Sequence, residues 1–312
     1  ACLILTTIPH AIKKRIKLKK ERPLVSIVIP CYNHEKYVQE AIKSVINQDY
    51  DNIELIIIDD GSSDDSTVKI KEIIPACQQR FKRFEFRHRP NKGLCATLNE
   101  ALEWCEGEFF ASIASDDVLR KYKTSRQVKY LQENASSIGV FGSVEIIHDA
   151  NGTKQTKVKR VKKYNFKDIF LHQHNLSAPT QLLQLKAVKS VGGYREDLII
   201  EDWSMWLFLT EHGGTLDCVD TVFASYRRHD GNLSSQFEKM QNGRKQVVAL
   251  FSGNDFYKKA LARTYMVAAH DCQKIDFKKS FQFIKSAINL DLSIIFSLTC
   301  LRYASKYVMF WR

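Results

Sequence analysis

Four clusters of charged side chains in this chain stand beside apolar runs, where they could do chemistry. Asp59-Asp60-Gly61-Ser62 follows ELIII, and Ser115-Asp116-Asp117 follows EFFASIA. Glu201-Asp202 precedes WSMWLFL, and Arg227-Arg228-His229 ends VFASYRRH. A pyrimidine base offers a ring face and an N3–H donor. Tyr32, just after LVSIVIP, could cover the face, and Asp60 could accept from N3–H. Asp116-Asp117 suits a hard divalent cation, Mn2+ or Mg2+, with phosphate oxygens filling the remaining positions. Inverting transfer to an alcohol needs a carboxylate opposite the leaving group, as in an inverting hydrolase with alcohol replacing water. Glu201-Asp202 offers that base, and a carboxylate beside Trp203 would have its pKa raised by desolvation. Arg227 and Arg228 could grip a diphosphate, and His229 could be an additional metal ligand. Each cluster also has a plain structural use: Asp60-Gly61 as a turn, Asp117 or Asp202 as a helix cap, His229 as an ordinary surface residue.

Those residues need elements to bring them together. From Leu24 onward strand and helix patterns alternate. Val38, Ala41, Ile42, Val45 and Ile46 make one apolar helical face, and Ile53 to Ile58 reads as a second strand. Asp64-Asp65-Ser66-Thr67 can cap a helix running through Ile74, FEFRH reads as a short strand, and Pro90-Asn91-Lys92-Gly93 as a turn. Leu94, Leu98, Ala101, Leu102 and Cys105 form the next helical face. A helix is expected over Thr124 to Asn134, then a strand, GVFGSVEII, and a hairpin turn at Asp149 to Gly152. Such alternation predicts an α/β fold with a mostly parallel, doubly wound sheet. Right-handed crossovers put strand ends on one rim, so Pro30 to Asn33, Asp59-Asp60 and Asp116-Asp117 should converge. From about Glu238 the pattern is helical. The expected division is a basic leader (1–22), a main domain (23–236) and a C-terminal helical region (237–312). Phe277 to Arg312 combines an apolar cluster, Ile294, Ile295, Phe296 and Leu298, with basic and aromatic ends. It reads equally as a membrane-interface segment or as helices capping the main domain.

The 312 residues are 44% hydrophobic, enough for a large core, and carry a formal net charge of +12. That charge admits nucleic acid, an anionic membrane surface or phosphate-bearing substrates as partners. The basic residues concentrate at Lys13 to Arg22 and Lys154 to Lys167, away from the acidic rim. A nucleic-acid groove would interleave basic and stacking aromatic residues, so this pattern argues against it. The turn after the first strand is CYNHEKY rather than GxGxxG, which argues against dinucleotide binding. The eight cysteines form no CxxC pair and no zinc-spaced cluster, suggesting a reducing compartment. In ACLILTTIPHA the basic residues follow the apolar stretch, the wrong order for a secretory signal. No apolar run is long enough to span a bilayer.

From Pro23 to Ser235 the chain resembles a family 2 glycosyltransferase of GT-A fold. The likeness is carried by VSIVIPCYNHEKYVQEAIKSVINQ, ELIIIDDGSSDDS, NKGLCATLNEAL, GEFFASIASDD, GGYRED and IEDW in that order. It implies inverting transfer of a sugar from a nucleotide-sugar donor. It implies that Pro30, Tyr32 and Asp60 line the base site, with Asn33, Asn91 and Gly93 beside them. Asp116 and Asp117 would form the metal motif and Asp202 the base, with Glu201 next to it. Ala114 stands where a further Asp is common, which makes Asp117 the expected direct metal ligand and Asp116 a ribose or outer partner. Leu98 occupies a position where an arginine often precedes Asn99. The QxxRW motif of processive synthases is absent, which favours addition of single sugars. The IEDW-to-YRRH segment is similar to bacterial enzymes of O-antigen, capsule and lipopolysaccharide assembly. This implies a UDP- or dTDP-linked donor and a glycan or lipid-linked acceptor. It also implies a cytoplasmic location, peripheral at the inner face of the membrane. A non-catalytic scaffold of the same fold is the alternative, made less natural by the intact acidic clusters.

Overall fold

The structure, a computed structural model, describes residues 22–149, 151–229, 231 and 236–310. The basic stretch Lys13 to Lys20 lies outside the described residues, as do Asp230 and residues 232–235. The chain runs β1 (Val25–Cys31), α1 (Val38–Ile46), β2 (Ile53–Asp59), α2 (Ser66–Arg80), β3 (Phe84–His88), α3 (Leu94–Trp104), β4 (Phe109–Ser112) and β5 (Val118–Leu119). It continues through α4 (Lys123–Glu133), β6 (Ser137–His148), β7 (Lys154–Lys157), β8 (Lys162–Tyr164), α5 (Phe166–Phe170), β9 (Leu182–Gln184), α6 (Leu185–Ser190), α7 (Glu201–Thr210) and β10 (Thr215–Arg228). One sheet has the order β3-β2-β1-β4-β9-β6-β10-β5, with β7 paired to β6 and β8 to β10. The block β3-β2-β1-β4 is parallel, as is the long pair β6–β10, and the antiparallel pairings join and edge them.

The strands read as unbroken apolar runs because helices cover both faces. Side chains alternate between two cores. Val28, Ile56 and Ile58 pack on one side with Leu98, Phe110, Trp203 and Trp206. Ile27, Ile29, Leu55 and Ile57 pack on the other with Val38, Ile42, Val45 and Ile70. In register, Cys31 pairs with Asp59 and Asp59 with His88, so β1, β2 and β3 end level at one edge. That is the rim expected from the alternation.

The opposite edge is closed by a buried carboxylate. Glu54 accepts from Ser26 Oγ at 2.5 Å, Arg83 Nε at 2.7 Å, and the backbone N–H groups of Glu106 (2.7 Å) and Gly107 (3.1 Å). A Cβ at Gly107 would lie 2.6 Å from Ser26 Oγ, so this knot requires glycine there. The second helix runs past the expected end at Ile74, through Pro75, to Arg80. Proline costs one helical hydrogen bond. Arg80 compensates by donating to the carbonyls of Ile46, Gln48, Asp51 and Tyr50, at 2.8 Å for the last.

Beyond β10 come α8 (Phe237–Ala249), α9 (Tyr257–Cys272), α10 (Phe277–Leu290), a 3-10 turn (Leu292–Phe296) and α11 (Leu298–Phe310). Val247, Val248, Phe251 and Ala260 join the core of the sheet, so the packing does not change at the expected boundary near 237. A separate cluster begins only at Ala262, with Met266, Ala269, Ile284, Ala287, Ile294 and Tyr303. Among the described residues no helix is long and apolar enough to cross a membrane. The second basic run is largely taken up in contacts. Lys162 pairs with Asp168 at 3.3 Å, Lys163 with Asp217 at 3.2 Å and Lys154 with Glu145 at 4.0 Å, while Lys167 lies over the Phe256 ring.

Replacing Glu54 by Ala takes the acceptor from Glu106 N–H and Ser26 Oγ, while Gly107 N–H keeps Ser26 Oγ and Arg83 keeps Glu106 and Trp104 O. The expected loss is about 3 kcal/mol of stability, read as a lower urea midpoint with an unchanged slope.

Candidate active site

The level strand ends open into a cavity of about 600 Å³. Pro30 and Tyr32 border it from β1, Asp60 from β2, Asn91 and Gly93 from the loop after β3, Asp116 from the loop after β4, and Glu201 and Asp202 from the first turn of α7. Residues scattered over most of the main domain therefore share one space, and Tyr32, 49% exposed, offers its ring there.

Asp60 is buried and clamped. Its carboxylate accepts from Lys92 N–H at 2.8 Å, from Gly93 N–H at 2.9 Å and from the Arg89 guanidinium. A carboxylate has about four acceptor positions, so one remains for a ligand. Gly61 makes the clamp possible. It sits at φ +75°, and a Cβ there would meet Asn91 N at 2.6 Å. Only glycine lets the loop from Arg89 to Gly93 pass so close.

The acidic pair after β4 divides its work in the opposite sense to the expectation. The Asp117 side chain is buried away from the cavity, and Oδ1 accepts from Arg227 N–H at 2.9 Å, tying the loop to the end of β10. Burial, with Asp116 beside it, holds the Asp117 carboxyl well above the usual carboxylate range. Asp116 turns the other way. Its Oδ2 lies 3.0 Å from His229 Nε2, and one ligand atom each of His34, Asp116 and His229 fall within 4.8 Å of one another. Neighbouring residues on a tight turn point to opposite sides, which is why one carboxylate is spent on structure and the other is presented.

This trio fits a divalent cation. Two imidazoles and a carboxylate within that span are a usable donor set. His34 Nδ1 is 2.7 Å from Ser115 Oγ, the outer hydrogen bond that orients a ligating imidazole. Burial lowers the His34 pKa, favouring the neutral ring that a metal needs. His229 is steadied by Tyr37, whose ring stacks at 5.2 Å, and its Nδ1 accepts from Gly231 N–H at 3.1 Å.

Three expected contacts fall elsewhere. Arg227 does not face the cavity: its guanidinium pairs with Glu40 at 2.6 Å and Asp149 at 3.1 Å, donates to Asp116 O at 3.0 Å, and lies over Tyr37. Two carboxylates already neutralise it, so it braces the loops instead of holding a diphosphate. Arg228 ends β10 outside the cavity lining. Asn33, at φ +55°, is used locally: its Oδ1 accepts from Ser63 N–H at 2.8 Å, and its own N–H donates to Ser62 Oγ.

Glu201 and Asp202 stand together at the start of α7. Asp202 Oδ1 accepts from Trp203 N–H at 2.6 Å. Burial pushes both carboxyls up, and the Asp202 charge raises Glu201 further. Trp203 beneath them stacks on His172 at 4.3 Å and donates from Nε1 to Ile169 O at 3.1 Å.

Sequence reasoning missed His34, although it lies in the CYNH turn beside residues already singled out. It also missed the far wall: Val144, Ser177, Ala178, Pro179, Tyr226 and, from α8, Met240. Those positions carry no spacing signal. Ser177 is held there by Lys159, which donates to Ser177 Oγ and to Asn175 O.

Known proteins can be set beside this geometry. Residues 26–192, more than half of the chain, match Glycosyl transferase family 2. An uncharacterized glycosyltransferase of Methanocaldococcus jannaschii is 31% identical over 213 residues, 66% of this chain and 71% of the relative. TuaG of Bacillus subtilis, described as a teichuronic acid biosynthesis glycosyltransferase, is 26% identical over 219 residues, 69% of this chain and 82% of the relative. Among solved structures, S. aureus TarS in complex with UDP-GlcNAc aligns at a TM-score of 0.65 and 19% identity, covering 86% of this chain and 80% of TarS. The mannosyltransferase PcManGT of Pyrobaculum calidifontis, in complex with GDP-Man and Mn2+, aligns at 0.65 and 14% identity, covering 94% of this chain and 82% of its own. These structural likenesses establish the GT-A fold. With its matched segment supplying β1 to β4 and their rim, the chain belongs to glycosyl transferase family 2 and is a glycosyltransferase.

Proposed function

We propose that this enzyme moves a single sugar, with inversion, from a nucleoside-diphosphate sugar to a hydroxyl of a glycan or lipid-linked glycan during surface-polysaccharide assembly. The observation that carries this reading is the shared cavity joining Asp60, Asp116 and Asp202. Tyr32 covers one face of the base, Pro30, Asn91 and Gly93 wall its edge, and Asp60 accepts the base N3–H at its one remaining position. An N3–H donor belongs to uracil or thymine, which favours a UDP- or dTDP-linked donor. The two solved neighbours bind donors of different base, so the fold itself does not choose.

Asp116, His34 and His229 would hold the divalent cation, and imidazole nitrogens favour Mn2+ over Mg2+. When bound, the cation neutralises the diphosphate as it leaves. Asp202 takes the acceptor hydroxyl proton; burial raises its pKa, and its charge in turn keeps the neighbouring Glu201 protonated. The apolar wall around Ile199, Ile200 and Met240 limits water, so an alcohol is a better acceptor than solvent.

A screen of nucleotide-sugars with Mn2+ or Mg2+ and no acceptor tests the donor reading. Slow cleavage of a uridine or thymidine donor, faster with Mn2+, is expected, and release from none of them would overturn it. Asp202→Asn should lower transfer by about 10³-fold while leaving donor binding and thermal unfolding unchanged. Asp116→Asn should weaken Mn2+ binding, followed by electron paramagnetic resonance, by at least about tenfold. Asp117→Ala should lower the unfolding temperature instead. Burial raises the Asp202 carboxyl, so the proton-free base is lost above the usual carboxylate range as pH falls. The rate should therefore climb with pH beyond the range in which an exposed aspartate titrates, and Glu201→Gln, which replaces a protonated neighbour by a neutral one, should leave that limb in place. Stability has the opposite slope: the folded state binds the proton more tightly, so ΔG of unfolding falls as pH rises through the raised pKa. Glu201→Gln should flatten that fall.

A further inference from the structure

We propose that the outer face of α10, the turn Leu292–Phe296 and the start of α11 form a docking surface for an anionic lipid bilayer. The evidence is where apolar side chains are left in water. Among the described residues, eight of the fifteen exposed large apolar side chains fall between Ile275 and Leu301. Phe296 is 86% exposed, Ile275 82%, Leu298 72% and Leu292 70%. Scattered singly these would need no explanation, but concentrated on one short hairpin they mark an interaction site.

The hairpin has an inside and an outside. Ser280, Ile284, Ala287, Ile294 and Tyr303 turn inward and build the small core shared with α9. On the outward side of α10, Phe281 stands between Lys278 and Lys285, at helical spacings of three and four residues. From Lys274 to Arg302 there are five basic residues and two acidic ones. Both acids are used as helix caps: Asp276 accepts from Lys279 N–H at 2.9 Å, and Asp291 from Ser293 N–H at 3.0 Å. Lys279 is taken up by Glu238, and the exposed Lys278 and Lys285 give the outward face its basic charge, mixed with protruding phenylalanine and leucine, which is the composition of a segment lying in a membrane interface. A two-fold partner copy would set the same lysines against each other, which disfavours self-association. At 14 residues α10 is about 21 Å long, shorter than the roughly 30 Å of bilayer hydrocarbon, so it lies on the surface and does not cross it.

None of these side chains borders the donor cavity, so attachment is separable from transfer. Full-length protein should sediment with vesicles of phosphatidylcholine containing about a third phosphatidylglycerol, bind phosphatidylcholine alone poorly, and detach as salt is raised. Phe296→Ser with Leu298→Ser should lower anionic-vesicle binding at least about tenfold, and Lys278→Glu with Lys285→Glu should do the same. Donor hydrolysis in solution should be unchanged in both. Three results would overturn the proposal: no binding to anionic vesicles by the unaltered protein, equal binding by both double variants, or a dimer in light scattering that the Phe296→Ser, Leu298→Ser pair dissolves.

Discussion

Negative charge crowded round one cavity is the constraint on which this site depends. At an effective dielectric near 20, two unit charges about 4 Å apart repel by roughly 4 kcal/mol, a large part of a domain's net stability. Each carboxylate at the rim needs compensation, and the compensation differs. Asp60 receives the Arg89 guanidinium and two backbone N–H groups. Asp116 has His229 beside it, and Asp117 has withdrawn into the protein onto Arg227 N–H. Glu201 and Asp202 have much less: the Trp203 N–H reaches Asp202, and burial raises both. Asp117, with a single N–H, shares the raised pKa of the α7 pair but is shut away from the cavity, so Glu201 and Asp202 are the raised carboxyls that border it.

Much of this frame is legible in the sequence. Two-sided burial makes parallel strands into unbroken apolar runs, so β1, β2 and β4 and the residues at their ends could be read directly, and right-handed crossovers brought those ends together. Pro30, Tyr32, Asp60, Asn91, Gly93, Glu201 and Asp202 do border one cavity. The choice between Asp116 and Asp117 was not legible, because adjacent residues on a turn differ in direction and not in pattern. Arg227 was misread for a related reason: its partner Glu40 is 187 residues away, and nothing local announces the pair. His34 could have been found by asking what else lies on a turn that already held Tyr32. The far wall could not: Ser177 to Pro179 lie where short irregular backbone leaves no period, and Met240 is one apolar position among others on α8.

The helices after β10 read as an appendage because their pattern is purely helical after a long α/β stretch. Their first half is instead a wall of the site. Met240 of α8 borders the cavity, and Gly243 packs so closely on Ile200 that a Cβ would meet its Cγ1 at 2.9 Å. Deeper in, α9 reaches Asp202 through a short chain of contacts. Thr264 Oγ1 lies 3.1 Å from His172 Nε2, and His172 stacks on Trp203, the residue next to Asp202. His172 holds this position at φ +53°, a conformation few non-glycine residues adopt. Such a backbone persists only where surrounding contacts over-determine it. Burial lowers the His172 pKa far below its usual value, so the ring under Trp203 is neutral and adds no positive charge that would pull the Glu201–Asp202 protons away. The packing behind the α7 carboxyls thus comes from both sides: His172 lies within the matched segment, and Thr264 and Met240 lie beyond it.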